Sequence, residues 1–351
     1  MPKQDMILAK ANKEDEFYTQ LSDIEKELKH YRQLFRDKVI LCNCDDPYES
    51  NFFKYFAINF NYLGLKKLIA TCYDGSPFTG MQLSLFDFMD EQYINDKKTA
   101  YKIVINEVED INNDGAVDLF DVELLLKNNK NLLTKLEGNG DFRSTECLEL
   151  LQESDIVVTN PPFSLFREYL SQLVSYNKKF IIMGNTNALS YKEVFRLFQK
   201  DEIRTGYTNF NVGMYFFVPE DTEKFHKIVD GRKMVRVSTS CWFTNLPVET
   251  HKELLTLYKN YSPSNYPKYD NYDAININTY TDIPCDYYGI MGVPITFLNK
   301  YNPEQFEILG LAASAGYKRD IVGIEFLGDK DARPLINGKN TYARVFIRRR
   351  S

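Results

Sequence analysis

The sequence predicts an α/β fold with a mostly parallel sheet covered by helices on both faces. Two observations predict it. Short apolar runs of strand length recur along the first two thirds of the chain, with helical patterns between several of them. One of these runs, Asp155-Ile156-Val157-Val158-Thr159, ends in Asn160-Pro161-Pro162-Phe163 and passes at once into a helical pattern from Ser164 to Leu170. A polar amide, two prolines and an aromatic at the carboxyl end of a strand occupy the place where open α/β sheets bind ligands.

The elements follow in order. Asp15 to Asp37 carries apolar residues at Phe17, Leu21, Ile24, Leu28, Tyr31, Leu34 and Phe35, which is helical spacing. Lys38 to Cys42 reads as a buried strand, Phe52 to Tyr62 as an aromatic-rich helix, and Lys67 to Tyr73 as a second strand. Thr99 to Val108 contains a third strand-like run, Asp155 to Thr159 is a fourth, Phe180 to Met183 a fifth and Val212 to Val218 a sixth. Gly75 to Gln92 reads as an irregular excursion. Asn260 to Tyr280, rich in Tyr, Asn, Ser and Pro, reads as an extended connection into a smaller C-terminal region. The predicted division is 1–247 and 248–351, with an insertion at 109–130. No internal repeat is present.

Composition excludes several classes. No apolar run is long enough to span a bilayer, and the N-terminus lacks a secretory pattern, so a cytoplasmic protein is expected. The six cysteines, Cys42, Cys44, Cys72, Cys147, Cys241 and Cys285, are scattered, and Cys42-x-Cys44 is not zinc spacing. Free thiols in a reducing compartment are expected. The net charge of −6 argues against a uniformly basic nucleic-acid binder, yet the charge is unevenly distributed. Residues 1–160 hold 18 basic and 29 acidic side chains, and the remainder hold 25 and 20. Such asymmetry suggests that the C-terminal half meets a polyanion, although the closing Arg348-Arg349-Arg350 alone reads equally as a solvated tail.

The two prolines of the central motif donate no backbone hydrogen bond and fix φ, so they hold the turn rigid. Asn160 then offers a carbonyl oxygen and Phe163 a flat apolar face. A strand ending this way resembles the catalytic motif of methyltransferases that act on an amino nitrogen, using S-adenosylmethionine. Asn12 to Gln20, Cys42-Asn43-Cys44-Asp45-Asp46-Pro47, Gly138-Asn139-Gly140-Asp141-Phe142-Arg143-Ser144 and Gly289 to Leu298 extend the likeness, in order, over nearly the whole chain. Together they resemble the EcoRI-type adenine-specific DNA methyltransferases. The chain departs from many methyltransferases in having no Gly-x-Gly loop after the first strand.

The resemblance implies a Rossmann-like methyltransferase fold, a C-terminal target-recognition region, and N6 methylation of a flipped-out adenine in double-stranded DNA. It further implies a restriction-modification or solitary enzyme, with a cognate restriction endonuclease as a candidate partner. RNA and protein-glutamine methyltransferases with a related motif remain alternatives, as does a DNA-binding module without catalysis. By the same resemblance Asn160, Pro161, Pro162 and Phe163 are the catalytic set, and Tyr18 and Thr19 close over the methionine end of the cofactor. Asp141 faces the cofactor adenine amine with Phe142 beside the ring. Acids after strands are independently placed for the cofactor: Asp45 and Asp46, beside Cys44, for its ammonium or a ribose hydroxyl, and Asp74 for the ribose diol. A lone acid after a strand is, however, commonly a helix cap or turn residue.

Flipping a base requires aromatics in the pocket. Candidates are Phe17, Tyr215 and Phe217, with Tyr207, Phe210 and Phe216 in the same region; Trp242 reads as packing. Lys300, Lys318, Arg319, Lys339 and Arg344 are candidate DNA contacts. Asp110 to Asp121 matches calcium-loop spacing, with oxygens on Asp110, Asn112, Asp114 and Asp121 and glycine at Gly115. It is a candidate structural calcium site, the alternative being an Asn/Asp/Gly-rich turn capping a helix.

Overall fold

The start of the strand at Val39–Cys42 is pinned to its neighbour by one acid. Asp155 accepts a 2.8 Å hydrogen bond from the Val39 amide through Oδ2, and its own amide donates to the Val39 carbonyl. From that point the apolar runs at 39–42 and 156–159 align in parallel, with Ile40 beside Ile156 and Leu41 beside Val157. This is seen in a computed structural model that describes residues 18–44, 50–72, 100–112, 114–115, 117–128, 133–208, 214–218, 225–229, 231–237, 239–313, 323–328 and 332–350. The chain forms two compact units, 1–184 with 213–240, and 185–212 with 241–351.

In the first unit, β1 (Tyr18–Thr19) precedes α1 (Leu21–Leu28), a 3-10 turn (Lys29–Tyr31) and α2 (Arg32–Phe35). Then come β2 (Val39–Cys42), α3 (Asn51–Ile58), α4 (Phe60–Leu63), β3 (Lys67–Thr71), β4 (Tyr101–Ile105), α5 (Leu119–Asn128) and β5 (Leu133–Lys135). After them come α6 (Thr145–Glu153), β6 (Ile156–Thr159), α7 (Phe166–Ser175) and β7 (Lys179–Asn185). Within this unit the strands of the large sheet stand in the order β5-β4-β3-β2-β6-β7. The four strands β3, β2, β6 and β7 are parallel, and β4 runs antiparallel to both its neighbours, β3 and β5, so the sheet is mixed. All four residues of β2 and of β6 are buried, which is why these runs are continuously apolar rather than alternating.

Helix boundaries follow local chemistry. Ser50 caps α3 by accepting from the Phe53 amide, and Ser144 caps α6 by accepting from the Cys147 amide. The helix α3 buries Phe52, Phe53, Tyr55, Phe56 and Ala57, and Phe56 meets Phe35 of α2 edge to face at 5.1 Å.

Three expectations need correction. The predicted first helix is shorter than its apolar spacing, because Tyr18–Thr19 is a strand paired with residues 216–217. The predicted helix over Phe52 to Tyr62 is interrupted at Asn59, whose conformation is not helical. The sixth predicted strand, β9 (Met214–Phe217), lies in a separate antiparallel sheet, in the order β1-β9-β11-β10 with β10 (Lys227–Val229) and β11 (Arg232–Val237). A strand's own sequence marks it as extended but does not choose its neighbour. The predicted excursion at 75–92 lies outside the described residues.

In the second unit, α8 (Lys192–Gln199) buries Val194, Phe195 and Phe198. The strands β8 (Arg204–Thr205) and β12 (Ser240–Thr244) pair antiparallel, and Trp242 of β12 is fully buried, as a packing residue. A four-stranded sheet follows, β13 (Ile275–Asn276), β14 (Met291–Pro294), β18 (Arg344–Arg349) and β15 (Phe306–Ala312), in that order. Its core is built by Met291, Val293, Phe306, Leu311, Val345, Phe346 and Ile347. A small hairpin, β16 (Leu335–Ile336) with β17 (Lys339–Asn340), completes the unit. No described helix is long and apolar enough to cross a membrane.

Gly323 shows how tightly this unit is closed. Its φ is +66°, and a Cβ placed there would lie 1.7 Å from the Leu309 carbonyl oxygen. Both facts penalise any side chain. Gly323→Ala is therefore expected to destabilise the protein by at least about 2 kcal/mol, read as a shifted denaturation midpoint. A midpoint within error of wild type would contradict this packing.

Candidate active site

The parallel strands β3, β2, β6 and β7 bring their carboxyl ends to one edge. The chain leaves β3 at Cys72, β2 at Asn43 and β6 at Asn160 along this edge. Neighbouring strands are about 4.8 Å apart. Asn43 and Asn160 follow directly on the neighbouring parallel strands β2 and β6. At the end of β6, Asn160 is 6% exposed and Pro161 is buried, whereas Pro162 and Phe163 are half-buried. The Pro162 carbonyl accepts from the Leu165 amide, which starts a 3-10 turn over Phe163–Leu165 that runs into α7. The motif is therefore a rigid link between a buried strand and a helix.

A polar network fixes this edge. Thr159 Oγ1 donates to the Asn43 carbonyl, and Tyr169 of α7 donates its hydroxyl to Asn43 Oδ1 at 2.5 Å. Both partners are buried, and burial pushes the Tyr169 phenol well above its ordinary pKa, so it stays a neutral donor. Cys44, next along, is half-buried and holds a left-handed φ of +78°, a conformation that costs a non-glycine residue about 1 kcal/mol. Strain of this kind concentrates at ligand sites.

The 138–144 turn packs against the same helix. Gly140 supplies a φ of +74°. Phe142 is 5% exposed and meets Tyr169 edge to face at 5.1 Å, and its carbonyl accepts from Gln172 Nε2. Asp141 is gripped by Arg143, which donates from Nε at 2.8 Å, from Nη2 at 2.6 Å and from its amide at 2.9 Å. Arg143 also reaches Glu168 on α7 at 3.2 Å. The guanidinium beside it holds the Asp141 carboxyl below its ordinary pKa.

Thr19 supplies the fit to a polar ligand. It is 2% exposed, and its Oγ1 is buried without a hydrogen-bond partner among the described residues. A buried hydroxyl left so is costly unless a ligand completes it. Its carbonyl accepts from Asn51 Nδ2 at 2.8 Å, which ties β1 to the first turn of α3, the helix after β2. In the sheet Thr19 stands opposite residue 216 and Tyr18 opposite residue 217.

Other predicted residues are placed as follows. Tyr215 is half-buried, with its ring 5.5 Å from His226 and Lys227 Nζ 4.6 Å from its centroid. Lys300 is half-buried and Lys339 exposed. Arg344 is 9% exposed and donates to Asn276 Oδ1 and to the carbonyls of Tyr342 and Ala343, so it supports the sheet rather than standing at the surface. Phe17, Asp45, Asp46, Asp74, Phe210, Lys318 and Arg319 lie outside the described residues, as do the side chains of Tyr18, Phe216 and Phe217.

The described residues lend the calcium expectation no support. Asp110 accepts from the amides of Asp114 and Gly115, and Asn112 bonds Asp114 both through its amide nitrogen and through Oδ1. Buried Asp121 accepts from the amides of Ile111, Asn112 and Asp118, which hold its carboxyl below its ordinary pKa. The oxygens close a turn and cap α5, and among the described residues no group of side chains is arranged to hold a metal.

Sequence reasoning missed Asn43, Asn51, Arg143, Glu168 and Tyr169. Asn43 and Arg143 lie inside runs that carried the family likeness, a usable signal. Tyr169 is 126 residues from Asn43, and nothing in the sequence pairs them.

The family model for the adenine-specific methyltransferase EcoRI matches residues 5–350. The chain is 44% identical to the type II methyltransferase M.EcoRI of Escherichia coli, over 97% of this chain and 94% of that one. It is 37% identical to the type II methyltransferase M.MgeORF184P of Mycoplasma genitalium and 35% identical to M.MpnI of Mycoplasma pneumoniae, each over 97% of both chains. No solved structure matches.

Tyr169→Phe removes one donor from a buried acceptor. It is expected to cost about 1–3 kcal/mol of stability, measured by denaturant unfolding, and an unchanged midpoint would deny the network its structural weight. Calcium at concentrations that fill ordinary calcium loops is expected to leave the melting temperature unchanged, since only a ligand bound to the folded state raises it. A rise on adding calcium, reversed by chelator, would restore the metal site.

Proposed function

Because the chain belongs to the EcoRI family of adenine-specific methyltransferases, we propose that it is a site-specific DNA methyltransferase acting on adenine N6. The observation that carries the reading is the placement of Asn160 to Phe163 at the carboxyl end of β6, in a chain matched to the family almost from end to end. The central sheet, with its four parallel strands, is then the core of a Rossmann-like methyltransferase fold. Residues 248–351 supply target recognition, and duplex DNA is the partner. A cognate restriction endonuclease and a reducing cytoplasm complete the proposed setting, consistent with six cysteines that form no disulfide.

S-adenosylmethionine, when bound, supplies a methyl group on a sulfonium, already an excellent leaving group. Thr19, with its buried hydroxyl, and the first turn of α3 would hold the methionine end, together with Tyr18, Cys44, Asp45 and Asp46. Asp74 would take the ribose. Phe142 contributes from beneath, since it lies buried against Tyr169. Asp141 keeps lone pairs for an amine even while Arg143 grips it.

The adenine amino group is a poor nucleophile because its lone pair is delocalised into the ring. Asn160 Oδ1 and the Pro161 carbonyl would each accept one N6–H, drawing the nitrogen toward tetrahedral geometry and stabilising the positive charge that develops on it. Phe163, half-buried, would stack on the flipped base and fix its angle. Flipping costs a few kcal/mol. Phe17, Tyr215 and Phe217 are the proposed pocket aromatics. Lys300, Lys318, Arg319, Lys339 and Arg344 belong to the basic half that faces DNA, Arg344 as a support for the surface.

Asn160→Ala is expected to lower the methylation rate by about a hundredfold or more while cofactor binding by calorimetry stays near wild type. Methylation at the wild-type rate would overturn the active-site assignment.

A further inference from the structure

The β16–β17 hairpin is held more firmly than a surface turn requires. Its tip, Asn337-Gly338, has φ of +50° and +72°, the paired left-handed conformation of a tight two-residue hairpin. The carboxylate of Asp270 accepts both tip amides, from Asn337 at 3.3 Å and from Gly338 at 2.7 Å. The Asp270 amide donates to the Leu335 carbonyl, and Asn271 bonds both the Leu335 amide and the Arg333 carbonyl. At the base the Thr341 amide donates to the Pro334 carbonyl, and Ile336 packs against the cluster of Tyr269, Tyr272 and Phe346.

What this frame presents is polar, with one exposed cation, Lys339, on the strand that leaves the tip. Residues 337–340 are exposed, and Tyr342 just beyond them is 89% exposed, extreme for a large aromatic. Of the six cations after Ala332, Arg344 is buried against carbonyls, Arg348 pairs with Glu307, and Arg349 and Arg350 donate to the Cys285 and Pro303 carbonyls, so Lys339 is the exposed cation of the hairpin. A rigid two-stranded ribbon has the width that the major groove of B-form DNA admits. An asparagine amide has the donor and acceptor pair that matches a base edge.

We propose that this hairpin, with Tyr342, is a DNA-reading element: Asn337 faces base edges in the major groove, Lys339 meets a phosphate, and Tyr342 packs against the sugar-phosphate backbone. Asp270 is a positioning residue that fixes the tip backbone before DNA arrives, so that backbone loses little ordering entropy on binding. The assignment rests on the DNA methyltransferase reading and deepens it.

The test uses the full-length protein with a mixed-sequence duplex oligonucleotide, the corresponding single strand, and plasmid DNA. Asn337→Gly keeps the left-handed turn and removes only the amide, Lys339→Gln removes one exposed charge, and Tyr342→Ala removes the ring. The triple variant is expected to bind duplex roughly tenfold or more weakly. Lys339→Gln alone should lower the slope of log affinity against log salt by about one. Asn337→Gly should broaden the set of plasmid sites methylated, read by modification-sensitive sequencing. Cofactor affinity and melting temperature should stay at wild-type values. Duplex affinity within twofold of wild type, or an equal loss toward the single strand, overturns the hairpin assignment while wild-type plasmid methylation leaves the enzyme reading standing. A wild type that neither binds nor methylates duplex overturns both.

Discussion

The edge of the parallel sheet depends on one side chain, Asn43. Beyond the last paired residue a strand end has polar groups with no ladder partner, and at a buried edge each must be satisfied. Asn43 takes the Thr159 hydroxyl on its carbonyl and the Tyr169 hydroxyl on its side chain, which links β2, β6 and α7 where the ligand-binding crevice of such a sheet lies. Phe142 leans on the same Tyr169, so the 138–144 turn inherits its position from that bond. The placement of Asn160 follows, because it is the residue after Thr159 and two prolines deny it other paths.

The N-terminal strand is a second consequence of tertiary pairing. Tyr18–Thr19 is short, and no local propensity compels it. It forms because β9 offers an edge and because Asn51 at the start of α3 takes the Thr19 carbonyl. That arrangement delivers a buried hydroxyl to the neighbourhood of the helix following β2. Amphipathic spacing from Phe17 onward pointed to a helix instead, since periodicity reads a face and not a partner.

Charge counts and charge placement also part company. The excess of basic residues in the C-terminal half is a true feature of the sequence. Yet Arg344 is buried among carbonyls, and Arg348 pairs with Glu307 at 2.8 Å, so part of the excess is structural. The acids of the calcium-like loop behave alike, since backbone amides claim their oxygens. In both places side-chain type set a possibility that the neighbouring backbone then used.

The sequence alone determined the apolar strand runs, the Asn160 to Phe163 turn and the family likeness, because each is written in contiguous residues. Composition and short spacing carry that information without reference to the rest of the chain. It did not determine that β4 runs against both its neighbours, that β9 leaves the central sheet, that Arg143 grips Asp141, or that Tyr169 anchors Asn43. Those facts depend on pairings between distant segments or on side-chain direction. Such pairings are settled only when burial forces every polar group to find a partner and every apolar face to find cover.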